Sequence, residues 1–550
     1  MSTAWAIAET SPVGVAPASV PAATLPDLAA LGPDSPLPQD VPTLHALIRQ
    51  LLTALDKLRA QNAELQGKLD EALRHRFGRR SEKRQGQPLP PRPKPGQARP
   101  HGRAALPEHL ERRDTVHDLT AAEKLCPCCG QPRVCIGEHV TEQLDLDPAR
   151  FFVRRTIRKS YACRDCDPEL VPAEQRLQTA GPPEVGPIAR GLCGPGLLAH
   201  VIVAKFADHV PVHRLAGQLA RSGVPIAVST LGDWLAGAAD LLDPLYQLLQ
   251  QRVLCSRVLH SDDTWAKLRL LGQKKTKKAH FWVYIGDPDH PYVVFDFTVD
   301  YTADGPEQFL KDYQGYLQAD ALAQYEGLFA SGKVWHVCCM AHARRKFVTA
   351  SEGGDSRAEA ALRLIAQLYA IEHELPPLLP PSEDPLEQQQ RRVREEQRRQ
   401  LRQLRSQPVL DELKKWLDEQ RGQTLPKSPL GQAIGYALNN WKALCRYVEQ
   451  GYLAIDNNLS ERTLRGIALG RNNWGLIGSQ TGGETAAVLY SVVGTCKRLG
   501  IDPFAYLREA LPGLFALGPK PSAEQLLEWL PDRWQQRRSQ AAAPPPAASG

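Results

Sequence analysis

The sequence has no run of about 18 apolar residues and no basic N-terminal segment followed by a hydrophobic one, so neither a membrane span nor a secretory leader is expected. A chain working in the cytosol keeps its thiols reduced, which makes its 12 cysteines candidate metal ligands rather than a disulfide framework. Acid is scarce in one place: between Arg74 and Arg103 ten Lys or Arg stand against the single acid Glu82. Such a block suits a phosphate backbone, and equally a solvated linker. Residues 1–40 and the Ala/Pro tail lack any sustained hydrophobic period, which argues against a packed core there and predicts disorder. What remains is ordinary for a soluble globular protein, 42% hydrophobic and 23% charged with a formal charge of +6. At 550 residues the chain is expected to split into three or four units, at roughly 100–200 residues each.

Between residues 41 and 84 the positions Leu44, Ile48, Leu51, Leu55, Leu58, Asn62, Leu65, Leu69 and Ala72 step by four and three. This heptad seam, with a polar Asn62 at an a position, predicts a two-stranded dimerisation coil; a helix packing on its own chain is the alternative. Residues 85–115 are basic and Pro-rich, hence extended. In residues 116–180 two C-x2-C knuckles, Cys126/Cys129 and Cys163/Cys166, are separated by 33 residues with an expected strand at Phe151-Phe152-Val153. Four thiolates so spaced can close a tetrahedral structural zinc site. Cys128 and Cys135 are spare, and a shifted set using Cys128 stays open. Residues 185–250 have a helical pattern over Leu197–Ala207 and Val212–Ser222, then a third helix capped by Ser229 after a turn at Gly223. These resemble a helix-turn-helix unit, with Trp234 and Leu235 expected in the core.

In residues 251–349, Asp262 and Asp263 close a short apolar segment, 279–285 and 292–297 read as paired strands, a helix is expected over 305–313, and a strand from Gly315 ends at Asp320. Strands from separate places would bring Asp262 and Asp320 to one edge of a mixed sheet, where carboxylates can hold two divalent cations. Only one of Asp262 and Asp263 should face that way. Glu461, in Asp456-Asn457-Asn458-Leu459-Ser460-Glu461, fits a helix-start capping pattern, and also shares a helical face with Asn458, Arg462 and Arg465. The pair Cys339/His342 is too small for a metal site and suits a structural place beside the acids, and Cys338 has no assigned role.

Taken with Phe77-Gly78-Arg79-Arg80-Ser81-Glu82, Ala204-Lys205, His209-Val210-Pro211, Cys339-Met340-Ala341-His342 and Gly470-Arg471 with Asn473-Trp474, these residues resemble transposases of the IS66 family, DDE-type enzymes of bacterial insertion sequences. The resemblance implies a multidomain α+β chain with an RNase H-like α/β core in two parts, 251–349 and 446–517, around a helical insertion at 350–445, and a C-terminal extension at 518–550. It implies Asp262, Asp320 and Glu461 as catalytic ligands of two Mg2+ (or Mn2+) ions, and Cys126, Cys129, Cys163 and Cys166 as ligands of Zn2+. Arg79, Arg80, Lys205, Arg344, Arg345, Arg462, Arg465 and Arg471 become candidate DNA contacts. The implied partners are terminal-repeat and target DNA, a second copy of the chain, and accessory proteins of the same element. Two departures from the family pattern, Asp263 and Ala321, leave room for a silent DNA-binding remnant. A nuclease that cuts without joining is the other alternative.

Overall fold

A computed structural model of the chain describes residues 39–77, 151, 160–162, 177–179, 187–188 and 193–542 except 274. The four knuckle cysteines, Cys128, Cys135, Arg79, Arg80, the Pro-rich stretch, Phe152-Val153 and both expected disordered ends fall outside the described residues, apart from a few residues at the inner margins of those ends.

Helix α1 (Val41–Phe77) is one 37-residue helix. Its seam side chains Ile48, Leu51, Leu55, Leu58 and Leu65 are exposed, whereas Leu47 is buried, so most of this apolar stripe has no cover among the described residues. In a separate compact unit, residues 79–182, strands β1 (Ser160–Ala162) and β2 (Leu177–Thr179) pair antiparallel.

The rest of the described chain begins with α2 (Pro195–Phe206), α3 (Val212–Arg221) and α4 (Val228–Val253). Pro195 and Pro211 stand at helix starts, where a missing N–H removes no helical bond, and Gly223 takes φ 81° in the turn before α4. The third helix differs from expectation. It starts one residue before Ser229 with Ala227 at its N-cap and no side-chain cap, because buried Leu231, Trp234 and Leu235 anchor the first turns by packing instead.

Strands β3 (Val258–Leu268), β4 (Lys277–Ile285), β5 (Val293–Thr298), β6 (Gly315–Ala319) and β7 (Val334–Cys338) form a five-stranded sheet in the order β5-β4-β3-β6-β7. The first three are antiparallel neighbours, and β6 runs parallel to both β3 and β7. Helix α5 (Asp304–Leu310) connects β5 to β6, shorter than expected, and the short α6 (Glu326–Ala330) precedes β7. Residues Phe281 to Ile285 of β4 are all fully buried, the mark of a strand covered on both faces.

After β7 come α7 (Met340–Glu352), α8 (Ala358–Glu374), α9 (Pro385–Arg421), α10 (Pro429–Asn439) and the short α11 (Trp441–Cys445). They share a core of Leu364, Leu368, Leu410, Leu413, Leu417 and Ile434 that also takes in Val258 and Val337 of the sheet. The long α9 is tied down by Arg402, which is fully buried. Its Nε and Nη2 donate to Glu372 of α8 at 2.8 and 2.7 Å, and its Nη1 and Nη2 to the carbonyls of Tyr447, Gln450 and Leu453 at 2.9, 2.7 and 2.8 Å.

Helix α12 (Asn458–Trp474) then returns to the sheet and ends at Gly475, φ 79°. Helix α13 (Gln480–Arg498) seals the open edge of β5. An exposed strand edge invites pairing with other chains; here the hydroxyls of Ser491 and Thr495, one turn apart, accept the Phe295 and Val293 amides at 2.8 and 3.0 Å. Gly483 permits this approach, since a Cβ there would lie 2.3 Å from the Phe297 ring. Helices α14 (Pro503–Ala516), α15 (Ala523–Leu527) and α16 (Pro531–Ala542) complete the described chain. No helix among the described residues is long and apolar enough to cross a membrane.

Candidate active site

The parallel register of β3 and β6 pairs Leu259 with Leu317 and His260 with Gln318. Two residues further, on the same face of each chain, stand Asp262, in the middle of β3, and Asp320, one residue beyond the end of β6. The sequence suggested that Asp262 closes a short strand. Instead β3 continues to Leu268, because β4 goes on pairing with it after β6 has ended.

Asp263 turns away: its carboxylate lies 2.7 Å from His280 Nδ1 and accepts from Tyr301 Oη at 3.3 Å. Burial pushes the Asp262 carboxyl up to about 7, and the charges of Asp263, Asp320 and Glu461 add to it against the bond its Oδ1 accepts from the Asp263 amide.

Glu461 sits in the first turn of α12, and the start of that helix is clipped to β3. Asn457, 1% exposed, donates through Nδ2 to the Ser261 carbonyl at 2.8 Å, while its Oδ1 lies 3.1 Å from His260 Nδ1 and accepts from Ser460 Oγ at 3.0 Å. Burial lowers His260 to about 4, so the ring is neutral, and an Asn Oδ1 partner places its proton on Nδ1. The Asn457 amide donates to Cys339 Sγ at 3.2 Å, a structural use of that thiol. Asp456 accepts from Tyr369 Oη at 3.1 Å and Asn458 Nδ2 at 2.7 Å, which ties the insertion to the same turn. The capping pattern read from Asn458 and Glu461 does not form: Asn457 is the N-cap and makes no side-chain cap bond.

Between the second and third acids stands His342 of α7, its Nε2 3.5 Å from both Asp320 Oδ2 and Glu461 Oε1. Arg345 Nη2 donates to Glu461 at 3.3 Å. Tyr436 Oη, from α10 of the insertion, donates a very short bond to Asp320 Oδ1, and that proximity to negative charge, after burial and the Cys338 thiol, raises the tyrosine pKa. Among the described residues no three acid, His or Cys groups already stand at coordination distance of one metal ion. The three acids offer carboxylate oxygens, hard donors that could hold a magnesium ion, with the His342 imidazole beside two of them.

The other candidates scatter. Arg344 lies half-buried on α7, and Arg462 and Arg465 are exposed on α12. Arg471 donates to Thr264 Oγ1 at 2.9 Å and the Trp265 carbonyl at 2.7 Å, with its guanidinium 4.5 Å from the Trp265 ring. Lys205 closes α2, its amine 5.4 Å from the Phe206 ring and lowered to about 8 by burial. Asn473 Nδ2 donates to the His209 carbonyl at 3.0 Å, joining two motifs 264 residues apart. Sequence reasoning missed Tyr436, for which no local signal exists. The Cys339-x2-His342 spacing pointed to the neighbourhood, and a helix starting at Met340 after β7 would have placed His342 toward the strand ends.

Residues 190–485 match the family model described as transposase IS66 family, and residues 123–167 match the zinc-finger binding domain of transposase IS66. The chain belongs to the IS66 transposase family. It is 33% identical over 445 residues to uncharacterized protein y4jD of Sinorhizobium fredii (strain NBRC 101917 / NGR234), covering 78% of this chain and 81% of that protein. A second similar protein of that strain, uncharacterized protein y4hP, is 30% identical over 465 residues, 80% of this chain and 78% of the relative. The zinc-finger match contains all four knuckle cysteines, and membership of that domain family supports a structural zinc. The transposase match contains Asp262, Asp320 and Glu461 and the whole helical segment between the last two.

Proposed function

We propose that this IS66-family protein cuts and joins DNA as a DDE transposase with an RNase H-like core. The observation that carries the reading is the convergence of three acids from three distant elements, Asp262 inside β3, Asp320 after β6 and Glu461 opening α12, with His342 3.5 Å from the second and the third. The sheet order supports the fold assignment, with three antiparallel strands followed by two parallel ones.

Asp262, Asp320 and Glu461 would hold two Mg2+ (or Mn2+) ions that activate the attacking oxygen and steady the leaving one. The chain's own groups then have separable tasks. Tyr436 fixes the outer oxygen of Asp320, Asn457 fixes the start of the helix bearing Glu461, and His342 and Arg345 hold Glu461 toward Asp320. A phosphodiester in the site is first hydrolysed to free a 3′-hydroxyl; that hydroxyl then attacks a target phosphorus in line, forming one P–O bond as another breaks. Arg344, Arg462, Arg465 and Arg471 suit phosphates around the acids. Terminal-repeat recognition falls to the α2–α4 unit with Lys205, to the zinc unit of Cys126, Cys129, Cys163 and Cys166, and to Arg79 and Arg80. The uncovered stripe of α1 suits a second copy of the chain, and accessory proteins of the element complete the assembly.

The test incubates the full-length protein with a labelled element-end duplex and magnesium, alone and with the element's accessory proteins. Nicking and joining by the wild type, lost in both Asp320→Asn and Glu461→Gln while DNA binding persists, is expected. Cleavage surviving in either variant would sink the three-acid reading; nicking without joining points to a nuclease, and binding without any cleavage even with accessory proteins points to a silent binder.

A further inference from the structure

Beyond Asp262 the sheet narrows: β4 keeps β5 as a partner as far as His280, opposite Trp265, and from Ala266 to Leu268 β3 and β4 continue as a two-stranded ribbon. Strand β3 pairs with β6 only through His260, but with β4 as far as Leu268 opposite Lys277. The far end of this ribbon is tied to the segment after α12, Ile477 N to the Lys267 carbonyl at 2.8 Å and Arg269 N to the Ile477 carbonyl at 2.9 Å. Its composition is lopsided: from Thr264 to Gly286 there are six Lys or Arg and no acid.

The ribbon has two different faces. Ala266, Leu268 and Ala279 are fully buried on one side. On the other, the alternation of β3 exposes Trp265, Lys267 and Arg269, and the register sets Lys278 directly opposite Lys267. Trp265 lies between cations, with the Arg471 guanidinium 4.5 Å and the Lys278 amine 5.5 Å from its ring. Lys277, on the buried side, is neutralised by Asp300, and Asp263, the nearest acid on the exposed face, is occupied by His280 and Tyr301. Among the described residues none of Lys267, Arg269, Lys275 and Lys278 has a carboxylate partner.

Like charges directly opposite one another on a sheet face are unfavourable, and a basic row whose neighbouring acid, Asp263, is already bonded to His280 and Tyr301 is arranged for an external anion. Trp265 and Lys267 alternate with Asp262 along β3 and so share the face of Asp263. We propose that this exposed face of the β3–β4 ribbon, on the side of β3 that Asp263 faces and Asp262 does not, binds the phosphate backbone of duplex DNA, with Lys267, Arg269 and Lys278 as its phosphate contacts and Trp265 packed beside the sugar. The inference rests on the transposase reading, because it takes duplex DNA as the ligand.

The test measures affinity of the full chain for a labelled duplex of about 40 base pairs, arbitrary in sequence, across a salt series. Each lost phosphate contact lowers the slope of log affinity against log salt by about 0.9. The triple variant Lys267→Gln/Arg269→Gln/Lys278→Gln is expected to lose about 2–3 of slope and bind about 10–100-fold more weakly near 0.1 M salt. Its Tm should match or exceed that of the wild type, because opposed charges are relieved. A control of equal charge loss on the exposed insertion surface, Lys415→Gln/Arg421→Gln/Lys442→Gln, should leave the slope unchanged. An unchanged slope in the ribbon variant, or an equal loss in both variants, overturns the proposal. If the ribbon variant loses slope while the wild type never cleaves element ends, the ribbon stands and the catalytic reading fails.

Discussion

Arg402 makes a severe test of how the insertion supports the site. All five of its N–H groups are used, two on Glu372 and three on the carbonyls of Tyr447, Gln450 and Leu453. Those carbonyls lie in the segment that leads directly to Asp456, Asn457 and Glu461. Replacing Arg402 with Met roughly keeps the volume but strands a carboxylate, two buried carbonyls and the half-buried carbonyl of Gln450. Removing one partner of a buried pair costs about 3–5 kcal/mol; Glu372 retains Arg398 at 3.5 Å, which places the expectation near the lower bound. For a compact unit of more than 400 residues, at about 2.1 cal/mol/K of unfolding entropy per residue, that is a fall in Tm of about 3 °C. Adding Glu372→Leu removes the stranded charge, so the double variant should recover about 1–2 kcal/mol of the loss in urea unfolding. Cleavage should fall further than DNA binding in the single variant, because the turn bearing Glu461 loses its anchor while the α2–α4 layer is untouched. A single variant costing under about 1 kcal/mol, or a double variant no better than the single, would refute the argument that this buried cation holds the joint.

Two further outcomes follow from the site. Tyr436→Phe removes the hydroxyl on Asp320 but keeps the ring on which the Lys346 amine lies at 4.8 Å; supporting groups of this kind are worth about 10–100-fold in metal affinity or activity. The magnesium needed for half-maximal cleavage should therefore rise with duplex binding unchanged, and an unaltered magnesium titration would exclude a positioning role. Lys205, with its pKa lowered to about 8 by burial, makes the folded state bind its proton less tightly than the unfolded chain does. Its charge thus costs stability below pH 8, and the cost fades as pH rises toward the free-lysine value. Lys205→Met should raise stability at pH 7 by about 1–2 kcal/mol, after discounting for the exposed part of the chain, with the gain shrinking by pH 10. A gain that is the same at both pH values would show that packing rather than charge is responsible.

Much of the core could be read from the chain because local patterns specify it. The apolar runs at 279–285 and 292–297 became β4 and β5, and the stretch without strand pattern after 350 became α8 to α10. What could not be read has particular physical reasons. The ribbon beyond Asp262 was invisible because Trp265-Ala266-Lys267-Leu268 alternates weakly and the Lys-rich turn after it reads as a loop; its strand character comes from pairing with β4 and from the Ile477 bridge, more than 200 residues away in sequence. Ser229 was read as a cap because its residue type favours that position, yet packing of Leu231, Trp234 and Leu235 sets the helix start one residue earlier.

The position of Glu461 shows the same limit most sharply. Its Asn-Asn prelude looked like local capping, but Asn457 spends both ends of its amide on β3, nearly 200 residues upstream, and its backbone on Cys339. A side chain that bonds across such a distance leaves no periodicity to detect. Only its polarity within an otherwise buried turn betrays it, because a fully buried amide must find partners for its donors and acceptor. The acid that completes the site is therefore set by tertiary contacts of a neighbour rather than by the helix that carries it. Loss of Asn457 should accordingly displace Glu461 as effectively as substitution of the acid itself.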